Sequence, residues 1–497
     1  MSKVASLLLL FFLFKATTVK SQGEANIWYF GDKAGLDFNS GVPVPLIDSE
    51  MDAFEGCASL ANAAGQLLFY TNGIKVWNRN HQVMLNGDGL LGHDSSTQSG
   101  TIIPMPGSTN LFYLFTLDFQ AFPNGVRYSI IDLNLDGGLG GVTSTKNVLL
   151  YSPSCEKISV VKHANETDFW IVTRAYNNNI IYSHLLNSSG LSTTPVISNS
   201  SITANHYLDT IGNMKISPNG SKLAICYGNT SNSRVELLDF NNVTGQASNS
   251  QIIDTGSGSF YGVEFSPNGS LLYVTEGNNF NLYQYDLNAV PIVSSRVHLF
   301  DSEPMLTRIT RSLQLGPDGK IYVAMASSPA ISVINKPNIY GFGCEFVVDA
   351  IPLAGKISGS GLPVFNQSFF FTAIQLQNSC VGEVTSFELG DTSVSTASWN
   401  FGDGNTSNII SPTHIYNNEG TYTVSVTTNG VNGISTATRN IIVYATPTAT
   451  QPTNSLICDD NNDGFYNFDL TTKTGAILNG QSPTQYGVRY FANATDY

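Results

Sequence analysis

The chain has 497 residues, 23 Lys+Arg against 37 Asp+Glu, a formal net charge of −14, and only 12% charged residues. That is half of the ~25% usual in soluble domains, yet 42% hydrophobic residues exclude wholesale disorder. An acidic balance so poor in cations excludes a nucleic-acid binder, which needs Lys and Arg to displace phosphate counterions, and the 22 Tyr and 28 Phe point to strands.

In chain order, Met1-Ser2-Lys3 supplies a positive start and Val4 to Phe14 is almost wholly apolar. The run is shorter than the ~20 residues a membrane-spanning helix needs, so residues 1–21 read as a signal peptide cleaved after Ser21. No further apolar stretch of spanning length follows. The mature chain is therefore expected to be secreted or held at the outer cell surface, without an integral membrane segment. Cys57, Cys155, Cys226, Cys344, Cys380 and Cys458 are scattered with no CxxC pair, which disfavours zinc ribbons and redox motifs, and their spacing selects no disulfide pairing. Cys226, inside Leu223-Ala224-Ile225-Cys226-Tyr227, reads as buried in a strand.

Residues 22–375 are repetitive. Lys215-Ile216-Ser217-Pro218-Asn219-Gly220 returns as Glu264-Phe265-Ser266-Pro267-Asn268-Gly269 and again as Gln314-Leu315-Gly316-Pro317-Asp318-Gly319, with apolar alternation on both sides. Pro fixes φ and Asn/Asp-Gly supplies a positive φ, so each copy predicts a hairpin. Weaker copies place further anchors near Gly65, Ser108 and Asn165. A period of about 50 residues with several short strands per unit predicts a β-propeller. Seven blades are expected, six being the alternative, with Asn26 to Gly31 closing the ring by pairing with Phe346-Val347-Val348 or Phe369-Phe370-Phe371.

The texture changes after Gln375. Trp399-Asn400-Phe401-Gly402-Asp403-Gly404, Pro412-Thr413-His414-Ile415-Tyr416 and Gly420-Thr421-Tyr422-Thr423-Val424 follow in order within 378–444. This segment resembles a PKD domain, which implies an Ig-like β-sandwich with Trp399 and Phe401 in its core; Asp403 reads as the cap of its own turn. A Pro/Thr linker spans 445–454, and 455–497 opens a further β module that the sequence leaves as a fragment. There Asp459, Asn461 and Asp463 before Gly464 fit the first half of a calcium loop, although the twelfth position is Leu470 rather than Glu. Calcium is thus the one cofactor the sequence suggests.

Trp28-Tyr29-Phe30-Gly31, Phe69 to Asn78, Ser95 to Ser99 and Cys458 to Gly464 resemble large surface proteins of gliding Bacteroidota. That resemblance implies export through type nine secretion, surface display and a gliding-motility-associated sorting domain; no sorting domain is read within residues 1–497, which are expected to be a fragment.

No G-x-S-x-G, HExxH or phosphate-loop motif occurs. No catalytic residue is assigned. A propeller glycosidase would need two carboxylates converging from different blades; Asp32, Asp52, Glu55, Asp94, Asp118, Glu156 and Glu264 are the candidates by type. His93 and His163 read as structural, and Trp28, Trp77 and Tyr113 as core aromatics that could otherwise stack on sugars. The all-β chain is thus expected to be a non-catalytic binding or adhesion protein. Its propeller would recognise an extracellular glycan or surface protein and its PKD sandwich would act as a spacer; the alternative is a polysaccharide-degrading enzyme.

Overall fold

The computed structural model describes residues 23–165, 167–277, 281–301, 309–370, 374–389, 394–430, 433–446, 448–453, 469–482, 488 and 490. The chain divides into two compact units, Met1–Ala373 and Ile374–Tyr497. The leader expected at 1–21 lies outside the described residues.

Seven antiparallel sheets follow one another in the first unit, at 27–46, 58–78, 100–151, 154–204, 214–256, 260–301 and 309–352. Each is a meander, and the first strands of neighbouring sheets face each other around a common centre. The ring closes where Trp28 and Phe38 of the first sheet meet Tyr322 of the seventh, each pair of rings 5.2 Å apart. This is a seven-bladed propeller. Each of the six repeat anchors occupies the turn between the first and second strands of the second to seventh blades. At Gly220 and Gly269 φ is 71° and 72°, the left-handed region that the hairpin needs. In both turns the preceding Ser closes the loop: Ser217 Oγ accepts from the Lys222 N–H and Ser266 Oγ from the Leu271 N–H, each at 2.9 Å.

Closure differs from the expected pairing. Phe346–Pro352 stays in the seventh sheet, and Phe369 lies in a short 3-10 turn, Gln367–Phe369. Instead, residues 357–368 run along the centre of the ring. They accept from Asp32 N through Ile357 O (2.9 Å) and from Ser312 N through Ser360 O (3.1 Å); Val364 N donates to Cys57 O (2.8 Å). Ser368 Oγ accepts from Lys162 N at 2.7 Å. One extended segment, joined by isolated bridges, thereby ties the first, second, fourth and seventh blades. Ser358-Gly359-Ser360-Gly361 is suited to this path because a Cβ on Gly359 would lie 2.6 Å from Ala53 O, and one on Gly361 would collide with Glu55 O.

In the second unit, Ile374–Gln377, Val384–Leu389 and Thr413–Ile415 form one sheet, and Thr406–Ser407, Val394–Asn400, Gly420–Gly430 and Gly433–Val443 form the other. Trp399, Phe401, Phe387 and Tyr416 are buried between them, and the Tyr416 hydroxyl donates to Phe401 O at 3.0 Å. A short helix, Thr474–Leu478, follows. Asp459, Asn461 and Asp463 lie outside the described residues. No helix among the described residues is long and apolar enough to cross a membrane.

Candidate functional site

The inner strands of the propeller have two ends: one enters the repeat turns, and the other is where each strand begins. Three of them, Ser154–Lys162, Phe260–Phe265 and Ile309–Leu315, shift register near their beginning, between Ser154 and Ile158, Phe260 and Val263, and Thr310 and Leu313. Such a bulge breaks the two-residue alternation and re-aims a side chain. Among the residues inside these three irregularities are Glu156, Tyr261 and Arg311, on blades four, six and seven. Gly262 lets the last two strands approach: a Cβ there would collide with Arg311 O, and Thr275 Oγ1 bridges the gap by donating to that carbonyl at 2.7 Å.

Glu55, in the connection into the second blade, joins them. Burial, then the nearby Glu156 carboxylate, pushes the Glu55 carboxyl up to about 8, against the opposing pull of Arg311 and Tyr261. At neutral pH it therefore carries its proton. The Arg311 guanidinium lies over the Tyr261 ring, 5.1 Å from the centroid. Among the described residues the fully buried Tyr261 hydroxyl and the Arg311 Nε have no hydrogen-bond partner, and neither do Asn213 Oδ1 and Ser312 Oγ at the same strand starts. A buried polar atom left unpaired costs about 1–3 kcal/mol; such atoms occur elsewhere in the propeller too, at Ser96, Thr173 and Gln367, but Tyr261 and Arg311 are in direct contact, which makes them a candidate site for a ligand or water.

The neighbouring polar groups are saturated. Glu156, 1% exposed, accepts from Thr97 N and Thr97 Oγ1 at 2.7 Å, Gln120 N at 2.8 Å and Thr210 Oγ1 at 3.3 Å. Lys157, whose ammonium is pushed down to about 8 by burial, donates to the carbonyls of Thr210, Ile211 and Gly212 at 2.7–2.9 Å. Both side chains hold the connections between blades.

Large exposed aromatics lie at this end, as Tyr340 and Phe342 do at the other. Phe54 (61% exposed), Phe122 (50%) and Tyr207 (49%) lie in connections that enter inner strands or join second to third strands, and in antiparallel meanders those connections share one end of the blades.

Of the carboxylates singled out by type, the structure brings Glu55, Glu156 and Asp94 together, with Glu55 N donating to Asp94 O at 3.0 Å. Asp32 and Asp52 pair through backbone and are exposed; Asp94 sits 3.2 Å from His93 Nδ1. Asp118 accepts from Phe119 N and Asn124 N in its own turn. Glu264 is buried against Lys215 at 3.1 Å, near the opposite end of the strands. Trp28, Trp77 and Tyr113 are core residues, at most 7% exposed. His163 joins Val243 O and Asn165 N at a blade edge, and His93 stacks on Phe119 at 3.8 Å. Composition drew no attention to Tyr261 and Arg311. The repeat register does, since each stands six residues before its repeat Pro, at Pro267 and Pro317.

Residues 371–444 match the PKD domain family, and 454–497 match the Flavobacterium inter-domain disulphide bond domain. No curated protein matches the chain. Among solved structures, the chain is similar to the PKD1 domain of Vibrio anguillarum Epp (27% identity over 15% of this chain and 90% of that one, TM-score 0.13). It is also similar to a carbohydrate-binding module of the β-sandwich superfamily (22% identity, 15% and 34%, TM-score 0.14). A third likeness is to the Pseudomonas aeruginosa periplasmic gluconolactonase PpgL (13% identity, 67% and 99%, TM-score 0.33). At these TM-scores the likenesses assign no function.

Proposed function

We infer that the chain is an exported, surface-associated recognition protein whose propeller binds an extracellular glycan at the strand-start end of its channel, with the PKD sandwich as a spacer. The observation that carries this reading is the coincidence of unpartnered buried polar atoms with exposed aromatics at one end of one ring. Sugars are recognised by this combination, polar groups for hydroxyls and flat apolar faces for the ring. The leader at 1–21, type nine secretion and calcium at Asp459, Asn461 and Asp463 belong to the same proposal. So does a disulfide between Cys380 and Cys458: Cys380 is half-buried while Cys57, Cys155, Cys226 and Cys344 are buried, and Cys458 falls in the segment matching the disulphide-bond domain.

A second reading, hydrolysis, is favoured by the raised carboxyl of Glu55, which suits a general acid. It needs a second free carboxylate: Glu156 is fully engaged in hydrogen bonds, which leaves the half-exposed Asp94, also facing Glu55, as the one to test. A glycan array probed with the full chain, with product release followed for every hit, separates the two. Binding without turnover, weakened by Phe54→Ala and Phe122→Ala, is the expected result. Turnover of any hit would overturn the non-catalytic reading, and hits indifferent to both substitutions would move recognition to another surface.

A further inference from the structure

We propose that the channel mouth is selective for a carboxylate-bearing sugar, a uronate, with the Arg311 guanidinium and the Tyr261 hydroxyl holding its carboxylate. This rests on the recognition reading above and gives it a ligand class. Three groups from three blades meet here: Glu55 interacts with the Tyr261 side chain and with the Arg311 charge, the guanidinium lies over the Tyr261 ring, and among the described residues neither the Tyr261 hydroxyl nor Arg311 Nε has a partner in good hydrogen-bond geometry. Among the described residues Arg311 has no carboxylate in ion-pair range and its Nε has no acceptor, whereas Arg234 and Arg296 in the same unit each have a carboxylate, Asp209 at 2.6 Å and Asp254 at 3.0 Å. A guanidinium is a rigid fork of donors whose natural complement is a planar carboxylate. With the Tyr261 ring beneath it, its donor edges are left for a ligand.

The remaining valences suit the rest of a sugar. Asn213, whose N–H donates to Tyr261 O at 2.7 Å, has an unpartnered buried Oδ1 that can accept from a hydroxyl. Phe54 adjoins Glu55 in sequence and offers an exposed ring for stacking.

Glu55 makes the preference proton-linked. The groups facing it are Glu156, Arg311, Tyr261 and Asp94. Protonated, it donates to the ligand carboxylate; ionised, it repels it. Affinity for a uronate is therefore expected to fall as pH rises through about 8.

The test is isothermal titration of the full chain with galacturonate trimer and with its fully methyl-esterified form, which keeps the ring and removes the charge. The acid form is expected to bind about tenfold or more tightly than the ester, a difference that Arg311→Gln abolishes and that shrinks between pH 6.5 and 9. Should Arg311→Gln lose the native thermal transition, the near-isosteric Tyr261→Phe carries the test, with a severalfold loss for the acid form alone. No binding of the acid trimer, equal binding of the ester, or an Arg311→Gln protein with undiminished preference overturns the proposal. Array hits that respond to Phe54→Ala but ignore Arg311→Gln would leave the recognition face standing and end the uronate claim. Hits that ignore both would end both.

Discussion

The same inner strands of blades five to seven carry polar side chains at both ends of the channel, and the two ends treat them in opposite ways. Towards the repeat turns, Lys215, Glu264 and Gln314 occupy the same repeat position on consecutive blades, all nearly fully buried. Lys215 Nζ reaches Glu264 at 3.1 Å and Gln314 Oε1; Glu264 also accepts from Phe265 N and Leu315 N, and Gln314 donates to Leu315 O. Every group there has a partner. Three residues earlier on the same strands, Tyr261 and Arg311 have none among the described residues. The Lys215, Glu264 and Gln314 cluster is saturated from within, whereas the Tyr261 hydroxyl and Arg311 Nε are not; Asn366 Nδ2 and Gln367 Oε1, on the central segment near the turn end, are also unpartnered among the described residues. The saturated cluster is where stability is expected to reside, and the strand starts are where recognition is proposed.

Breaking the saturated end should have the largest effect. Lys215→Met leaves the Glu264 carboxylate buried without its cation, which typically costs about 3–5 kcal/mol. Urea unfolding of the full chain followed by fluorescence reads this out, since Trp28, Trp77 and Trp170 report on the propeller and Trp399 on the sandwich. The propeller transition is expected to move to lower urea while the Trp399 transition stays. Adding Glu264→Leu should recover much of the loss, because an apolar pair of similar volume removes the orphaned charge. A neutral Lys215→Met would contradict the assignment of stability to this end.

Two tyrosines sharpen the contrast with a single atom each. The Tyr285 hydroxyl donates to Asp254 Oδ2 at 2.6 Å, and Tyr285→Phe removes a hydrogen bond to a charged group, worth about 1.5–3 kcal/mol. Among the described residues the Tyr261 hydroxyl has no partner in good hydrogen-bond geometry, so Tyr261→Phe is expected to leave stability unchanged or raise it by up to about 1 kcal/mol while weakening ligand binding. Equal destabilisation by both substitutions would show that Tyr261 is structurally engaged and remove it from the site.

Much of the architecture was legible because it is local. Ser217-Pro218-Asn219-Gly220 and Ser266-Pro267-Asn268-Gly269 specify their turns through a fixed φ, a positive φ and a closing hydroxyl, all within a few residues. The sandwich core around Trp399 and Phe401 was legible for the same reason. Ring closure was not, because nothing local marks the 357–368 segment over Phe346-Val347-Val348 as the one that joins the blades. What selects the 357–368 segment is the room left by Gly359 and Gly361 against the backbone of Ala53 and Glu55, some 300 residues away in sequence. The site was half legible. Glu55 and Glu156 were named by type among seven carboxylates, but only the register shifts in the inner strands decide which acids meet, and a bulge leaves no mark in composition.

The smallest effect separates the two units by pH. In the sandwich, burial pushes the Asp403 carboxyl up, but the Asn405 N–H at 3.0 Å and the His414 imidazole at 2.7 Å outweigh it and hold the carboxyl below the usual range. A carboxylate with a depressed folded-state pKa adds stability above its unfolded value of about 3.9, and that contribution is lost as pH falls through the folded pKa. The Trp399 transition should therefore weaken in acid, by about 1 kcal/mol or less for a pair this near the surface. Asp403→Asn should flatten the dependence. Glu55 acts with the opposite sign: raised in the folded state, it favours the propeller below about 4.5 and loses that contribution as pH climbs through about 8. Urea titrations of one chain at pH 3, 6 and 9 thus read both groups at once. The sandwich transition should be lowest at the acid end, and the Glu55 term should pull the propeller down at the alkaline end. If Glu55→Gln leaves the alkaline slope of the propeller unchanged, the carboxyl is solvated, and the donor set proposed for the channel mouth loses one of its three members.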